Sequence, residues 1–169
     1  MDKKLTNKTG QFLLYTLLFL GCFFVSTVAG AATKMPVFSL PSAVDGKTID
    51  SHSFDGNVLL VTFFATWCSP CLQEIPILIE LQNKFAEKGF SVVALSVDQG
   101  GPKAVSRLID KADINYPVLM ADSQTPQNFG GVFGIPTSFL VNQNGNVIKS
   151  YPGYVTHHVL EKDIKSLLE

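Results

Sequence analysis

The chain has 169 residues, of which 46% are apolar and 16% are charged. This length and composition fit one domain with a hydrophobic core, and they exclude intrinsic disorder and two ordinary domains. The 13 basic and 14 acidic residues nearly balance and form no basic cluster, so nucleic acid is not an expected partner. Three cysteines are too few for a disulfide scaffold, so they point to redox or metal chemistry.

Residues 1–31 are typical of an export signal. Three lysines precede an apolar stretch from Phe12 to Val28, and small residues ending at Ala31 follow it. We expect cleavage after Ala31; the alternatives are an uncleaved membrane anchor, because 17 apolar residues lie at the lower limit of a span, and lipidation at Cys22. Each of these places residues 34–169 outside the cell membrane, in the periplasm or on the extracytoplasmic face of a bacterial membrane.

The first half of residues 34–169 predicts a strand–helix–strand unit behind a hairpin. Residues 36–40 and 45–49 predict two short extended segments joined by a turn. The unbroken apolar run Asn57–Ala65 predicts a strand buried on both faces of a sheet. Apolar residues at helical spacing predict a helix over Cys71–Lys88, and Phe90–Val97 predicts a second buried strand. A right-handed parallel crossover should join the two strands.

The second half predicts three more helical segments and three more strands. The predicted helical segments are Pro102–Ala112, a turn or two at Pro126–Phe133, and a last helix capped by Thr156. The predicted strands are Pro117–Met120, Thr137–Val141 and Val147–Tyr151. An Asn-Gly turn between the last two makes them an antiparallel hairpin. Together these elements predict an α/β sandwich with a mixed sheet.

Redox chemistry is predicted where the first buried strand meets the first helix, at the sequence Trp67-Cys68-Ser69-Pro70-Cys71. The first cysteine lies at a helix N-terminus, whose unpaired N–H groups lower the pKa of a thiol. Cys68 is therefore expected to attack a substrate disulfide as a thiolate. Cys71 then displaces the mixed disulfide and closes a Cys68–Cys71 disulfide, and the reverse steps oxidise a dithiol.

The chain resembles the thioredoxin superfamily, and within it the exported thiol-disulfide oxidoreductases of the ResA, TlpA and CcmG kind in the redoxin branch. The similarity covers residues 36–168. It rests on the W-C-S-P-C motif after a buried strand, on Glu74-Ile75-Pro76, and on Gly134-Ile135-Pro136-Thr137. It implies a thioredoxin-like three-layer sandwich over residues 34–169, with a mixed central sheet and an extra N-terminal β-hairpin.

The resemblance also implies roles for single residues. Pro136 should follow a cis peptide bond and face the cysteines, with Ile135 and Pro136 pairing with an extended substrate segment. Trp67 is expected to pack against its neighbours and to cover the two sulfurs. We therefore count it among the substrate-binding residues. Glu74 corresponds to a family glutamate linked to thiol acidity and is expected to accept the proton of Cys71; its alternative is a solvated helix position.

One position departs from thioredoxin itself, which has a buried aspartate six residues before the first cysteine. This chain has Thr62 there, which cannot titrate.

The resemblance further implies protein disulfides or dithiols as substrates, apocytochrome c among them, and a membrane electron donor of the CcdA or DsbD type. Ser-Pro between the cysteines favours a reductant over an oxidant, and no cofactor is expected beyond the Cys68–Cys71 pair.

Three other readings remain open from the residues. A thiol peroxidase would use Cys68 with an arginine beside it, but the single arginine, Arg107, lies in a predicted helix away from the motif. A structural metal site needs four ligands; the motif supplies two, and His157 and His158 are expected to be exposed, so no metal is expected. A non-enzymatic module that binds or chaperones apoproteins through its thiols is the third.

Overall fold

The computed structural model describes residues 33–169 as a five-stranded mixed sheet, a two-stranded hairpin and four helices. The strands are β1 (Ser39–Pro41), β2 (Thr48–Asp50), β3 (Val58–Phe64), β4 (Phe90–Ser96), β5 (Val118–Met120), β6 (Thr137–Val141) and β7 (Val147–Pro152). The helices are α1 (Ser69–Phe85), α2 (Pro102–Ala112), α3 (Thr125–Asn128) and α4 (His157–Leu168). The predicted leader, including Cys22, lies outside the described residues.

The large sheet has the strand order β5-β4-β3-β6-β7. β3 runs parallel to β4 and β4 parallel to β5, whereas β6 is antiparallel to β3 and β7 to β6. All seven residues of β3 are buried, so the prediction of a central strand covered on both faces is confirmed. Residues 33–35 pair with residues 145–147 at the outer end of β7.

Two apolar clusters cover the two faces of the sheet. On one face, Leu60 of β3 packs with side chains of α1, α2 and α4, such as Leu81 and Ile164. On the other face, Phe63 packs with Phe38 of the N-terminal hairpin region and with residues that follow α3. The three-layer sandwich with an extra N-terminal hairpin is therefore confirmed. Within residues 33–169, no helix combines the length and the apolar character needed to cross a membrane.

Two helix boundaries differ from the prediction. Helix α1 begins at Ser69 and ends at Phe85, after which residues 86–88 form a 3-10 turn that ends at Gly89 with a φ of 81°. The helical segment predicted over Pro126–Phe133 is confined to α3. Gly130 and Gly131 have φ values of 87° and 85°, and this left-handed backbone ends the helix.

The start of α4 also differs from the prediction. Thr156 is the residue before the helix, but its side chain makes no capping hydrogen bond among the described residues. His157 was expected to be exposed and is half-buried, with Nε2 3.2 Å from a carboxylate oxygen of Glu80. The reason is tertiary, because α4 and α1 cover the same face of the sheet and this places the first turn of α4 beside Glu80.

Candidate active site

Cys68 and Cys71 form a disulfide at the start of α1. Cys68 is the residue before the helix, and its sulfur accepts a hydrogen bond from the N–H of Cys71 at 3.3 Å. Both residues are buried, with 5% and 3% of their surfaces exposed. An N–H group and the positive end of the helix dipole therefore point at the sulfur of Cys68, which is the arrangement that favours a thiolate.

Glu74 lies one helical turn after Cys71 and is only 2% exposed. Its Oε1 accepts a hydrogen bond from the N–H of Val155, at 2.6 Å, in the segment between β7 and α4. Burial raises the pKa of Glu74 to about 7, although the hydrogen bond from Val155 acts in the opposite direction. The alternative of a solvated helix glutamate is therefore wrong.

Tyr116 is a second buried titratable group in this part of the core, and the sequence analysis did not identify it. It belongs to the same apolar cluster as both cysteines. Burial raises the pKa of its hydroxyl, and the negative charge of Glu74 adds to that effect.

Thr62, at the position where thioredoxin has an aspartate, is buried on β3 and accepts a hydrogen bond from the hydroxyl of Ser138. The titratable groups near the disulfide thus lie beside β3 and not on it.

The Ile135–Pro136 peptide bond is cis. Pro136 immediately precedes Thr137, which pairs with Phe63 near the end of β3, so the proline lies beside the strand that leads to the cysteines. The carbonyl of Pro136 accepts a hydrogen bond from the N–H of Gly153 at 2.8 Å. Ile135 packs against the cluster that contains both cysteines. The fold therefore brings the predicted substrate-binding segment to the same edge of the sheet as the disulfide.

Exposed aromatic side chains occur along this edge. Trp67 is 70% exposed, so the packing role predicted for it is small, and Phe133, three residues before the cis proline, is 95% exposed. The ring of Phe133 lies across the backbone of Gly131, where an added Cβ would come within 2.9 Å of the ring. Residues 64–73, 129–141 and 150–156, which meet at this edge, contain no Asp, Glu, Lys or Arg.

Asp98 is the residue that the sequence analysis missed most clearly. It lies just beyond β4 and accepts hydrogen bonds from the N–H of Thr66, at 2.9 Å, and from its hydroxyl, at 2.6 Å. The hydroxyl of Ser96 donates a third, at 2.9 Å. A polar residue that follows a buried strand at the carboxyl edge of a parallel sheet was the available signal.

The other candidates occupy different places. Arg107 lies in α2, in a part of the chain separate from the motif. Within residues 33–169, no group of three or more His, Cys, Asp or Glu side chains is arranged to hold a metal ion.

The sequence matches the redoxin family over residues 30–168. A protein named thiol-disulfide oxidoreductase ResA, from Bacillus thuringiensis subsp. konkukian, is 34% identical over 124 residues, which cover 73% of this chain and 71% of that protein. A protein of the same name from Oceanobacillus iheyensis is 29% identical over 134 residues, covering 79% and 69%. The crystal structure of a putative thiol:disulfide interchange protein DsbE from Chlorobium tepidum superposes with a TM-score of 0.76 at 32% identity, covering 82% of this chain and 97% of that one.

Proposed function

This chain belongs to the redoxin family and is a thioredoxin-like thiol-disulfide oxidoreductase, and on that premise we propose that it is exported and reduces disulfides of proteins outside the cell membrane. Apocytochrome c before haem attachment is one candidate substrate, and the redox group is the Cys68–Cys71 pair without a further cofactor. The observation that carries this proposal is the disulfide at the N-terminus of α1, on the same sheet edge as the cis Pro136.

The exchange proceeds in two steps. The thiolate of Cys68 attacks one sulfur of the substrate disulfide, which forms a mixed disulfide and releases the other substrate sulfur as a thiolate. The thiolate of Cys71 then attacks the sulfur of Cys68, so that the substrate leaves as a dithiol and the Cys68–Cys71 disulfide forms. Two electrons pass to the substrate, and a donor must return two electrons before the next cycle.

Glu74 is proposed to manage the proton of Cys71. A carboxyl group with a pKa of about 7 is present in both protonation states at neutral pH, so it can accept a proton from a thiol and return it. Its ionised form also raises the pKa of nearby thiols, because two negative charges in a buried region repel each other. Glu74 would thereby hold Cys71 as a thiol until the mixed disulfide has formed.

Trp67, Ile135 and Pro136 are proposed to bind the substrate around its disulfide. The exposed aromatic surface and the absence of charged residues in the three surrounding segments support an uncharged stretch of polypeptide as the bound segment. A membrane protein of the CcdA or DsbD type is the proposed electron donor, because thiols outside the membrane are oxidised unless they are re-reduced.

The direction of electron flow is tested by the reduction potential of the full chain, equilibrated against glutathione and dithiothreitol buffers. We expect a value below about −220 mV, in the range of glutaredoxins and thioredoxin. A value near about −120 mV, as in DsbA, would instead make the protein an oxidant that forms disulfides. If Cys68 and Cys71 form no reversible dithiol–disulfide couple, the protein neither reduces nor oxidises its substrates by disulfide exchange.

Three further measurements test the remaining parts of the proposal. Export predicts that, in intact cells after mild reduction, a membrane-impermeant maleimide labels Cys68; labelling only after lysis would place the domain inside. Consumption of hydrogen peroxide at a rate comparable to disulfide reduction would favour the peroxidase alternative. Full function in a Cys68→Ser, Cys71→Ser double variant would contradict disulfide exchange and every other role that uses the two thiols.

A further inference from the structure

Asp98 joins the end of β4 to the turn that carries the reactive cysteine. We propose that Asp98 is a positioning residue for disulfide exchange, which holds the turn Ala65–Cys68 so that the sulfur of Cys68 stays against the N-terminus of α1. Its two oxygens accept three hydrogen bonds, two from Thr66 and one from Ser96. Asp98 does not contact the disulfide and acts through Thr66.

The turn is held by one internal hydrogen bond and by two bonds to Asp98. The N–H of Cys68 donates to the carbonyl of Ala65 at 3.1 Å and closes the turn. The N–H and the hydroxyl of Thr66, the second residue of the turn, both donate to Asp98, and charge-assisted hydrogen bonds of this kind are shorter and stronger than neutral ones. The N–H of Val97 donates to the carbonyl of Phe64 at 2.9 Å, so the ends of β3 and β4 stay in register and Asp98 stays opposite Thr66.

The position of the turn determines how well the helix stabilises the thiolate. The N–H of Cys71 donates to the sulfur of Cys68 at 3.3 Å, and the helix dipole acts only within the first turn. A turn released from Asp98 would let Cys68 move away from this N–H group. The pKa of Cys68 would then rise towards that of a free cysteine, and the reduction potential would become more negative, because the reduced form would lose stabilisation.

The negative charge of Asp98 and its positioning of the turn have opposite effects on the pKa of Cys68. A carboxylate near a thiol raises the pKa of that thiol, so its removal would lower the pKa of Cys68 if charge were the main effect. The positioning role predicts a rise instead, and the two roles are separated by the sign of the change. The other titratable groups in this part of the fold are Cys71 and Glu74 on α1 and Tyr116 before β5, and the variants at Thr66 and Asp98 leave these residues in place.

The test compares Thr66→Val with Thr66→Ser in the full chain. Valine keeps the shape of threonine but loses the hydroxyl donor, and serine keeps both hydrogen bonds to Asp98. The reduced proteins are alkylated with iodoacetamide across a pH series, and modification of Cys68 is followed by peptide mass spectrometry. For Thr66→Val, the midpoint of the profile should rise by about half a pH unit, which is about a threefold lower thiolate fraction on the acid side. Thr66→Ser should keep the wild-type profile.

Two more variants complete the test. Asp98→Ala removes both acceptor oxygens and all three hydrogen bonds, and it should shift the profile upwards by more than Thr66→Val does. Thr125→Val breaks a similar pair, in which the N–H and hydroxyl of Thr125 donate to Asp122, but this pair makes no recorded hydrogen bond to the Ala65–Cys68 turn. It should lower the melting temperature without moving the profile. The proposal is overturned if Thr66→Val matches Thr66→Ser, if Asp98→Ala shifts the profile downwards, or if Thr125→Val shifts it equally.

Discussion

The two ends of helix α1 are associated with carboxyl groups in opposite environments. Near its start, Glu74 is buried and accepts only an N–H hydrogen bond, and burial raises its pKa to about 7. Near its end, Lys84 lies 2.8 Å from Glu161 of α4, which is also 2.6 Å from Lys165. Hydrogen bonds from Lys165 and Lys84 lower the pKa of Glu161 to about 2. Within residues 33–169, two lysines thus pair with the carboxylate that joins α1 to α4, whereas the segments around the disulfide contain no Lys or Arg.

This difference makes the stability of the protein depend on pH in two separate windows. Glu74 has a pKa in the folded protein above its ordinary value. Its contribution to the free energy of unfolding is therefore fully present below about pH 4.5, where the group is protonated, and is lost as the pH rises through about 7. Glu161 has a folded pKa below its ordinary value, so its contribution is present above about pH 4.5 and is lost as the pH falls towards about 2.

The largest expected effect is on stability at neutral pH. Glu74→Gln keeps an oxygen that accepts the hydrogen bond from Val155 but carries no charge. Since ionisation of Glu74 at its shifted pKa costs about 3 kcal/mol, the variant should be more stable than the wild type by up to that amount at pH 8, and similar to it at pH 4. Urea unfolding of the oxidised chain at both pH values measures this difference.

The control for this prediction is Glu80→Gln, on the same helix. Glu80 is mostly exposed, and its variant should show no gain in stability between pH 4 and pH 8. An equal gain in both variants would mean that the net charge of the chain, and not the burial of Glu74, determines its stability at neutral pH.

The next effect concerns the thiols. Removing the charge of Glu74 should lower the pKa of the cysteines by about one unit, because the ionised carboxylate no longer opposes a nearby thiolate. The pH profile of alkylation of the reduced Glu74→Gln variant should therefore move to lower pH, and the reduction potential should become less negative. Unchanged values, with the stability gain present, would limit Glu74 to a structural role.

The smallest effect is expected at the other end of α1. Glu161→Gln removes a partly buried charge whose two lysine partners are exposed, and such pairs contribute little because water and salt screen them. A slight fall in melting temperature should vanish in about 1 M salt, and the loss of stability between pH 4.5 and pH 2 should become less steep. A large, salt-independent fall would mean that the two pairs form a buried network.

Local patterns predicted most of the fold and part of the site. The buried strand β3, the hairpin around Asn144-Gly145 and the position of Cys68 before a helix follow from runs, spacings and turn residues that are close in sequence. The cis bond before Pro136 was predicted only from the family resemblance. From the chain alone, a trans bond is the expectation, since cis bonds are a small minority.

The burial of Glu74 and the role of Asp98 could not be predicted, because they depend on contacts between residues far apart in the chain. Glu74 and Val155 are 81 positions apart, and Thr66 and Asp98 are 32 apart. No spacing rule predicts that a helix glutamate will be covered by the segment before a later helix, or that an aspartate after β4 will bind the turn after β3. The exposure of Phe133 likewise follows from the glycine-rich loop that holds it out of the core.

The hydrogen bond between Glu74 and Val155 has a consequence for the order in which this enzyme matures. The ribosome releases the two cysteines and Glu74 about eighty residues before Val155. Until that later segment has emerged and packed, Glu74 remains hydrated and ionises as an ordinary glutamate does. A nascent chain therefore already contains its complete CxxC pair while lacking the burial that raises the pKa of Glu74, so the proposed proton exchange between Glu74 and Cys71 near neutral pH becomes possible only after the segment around Val155 has packed.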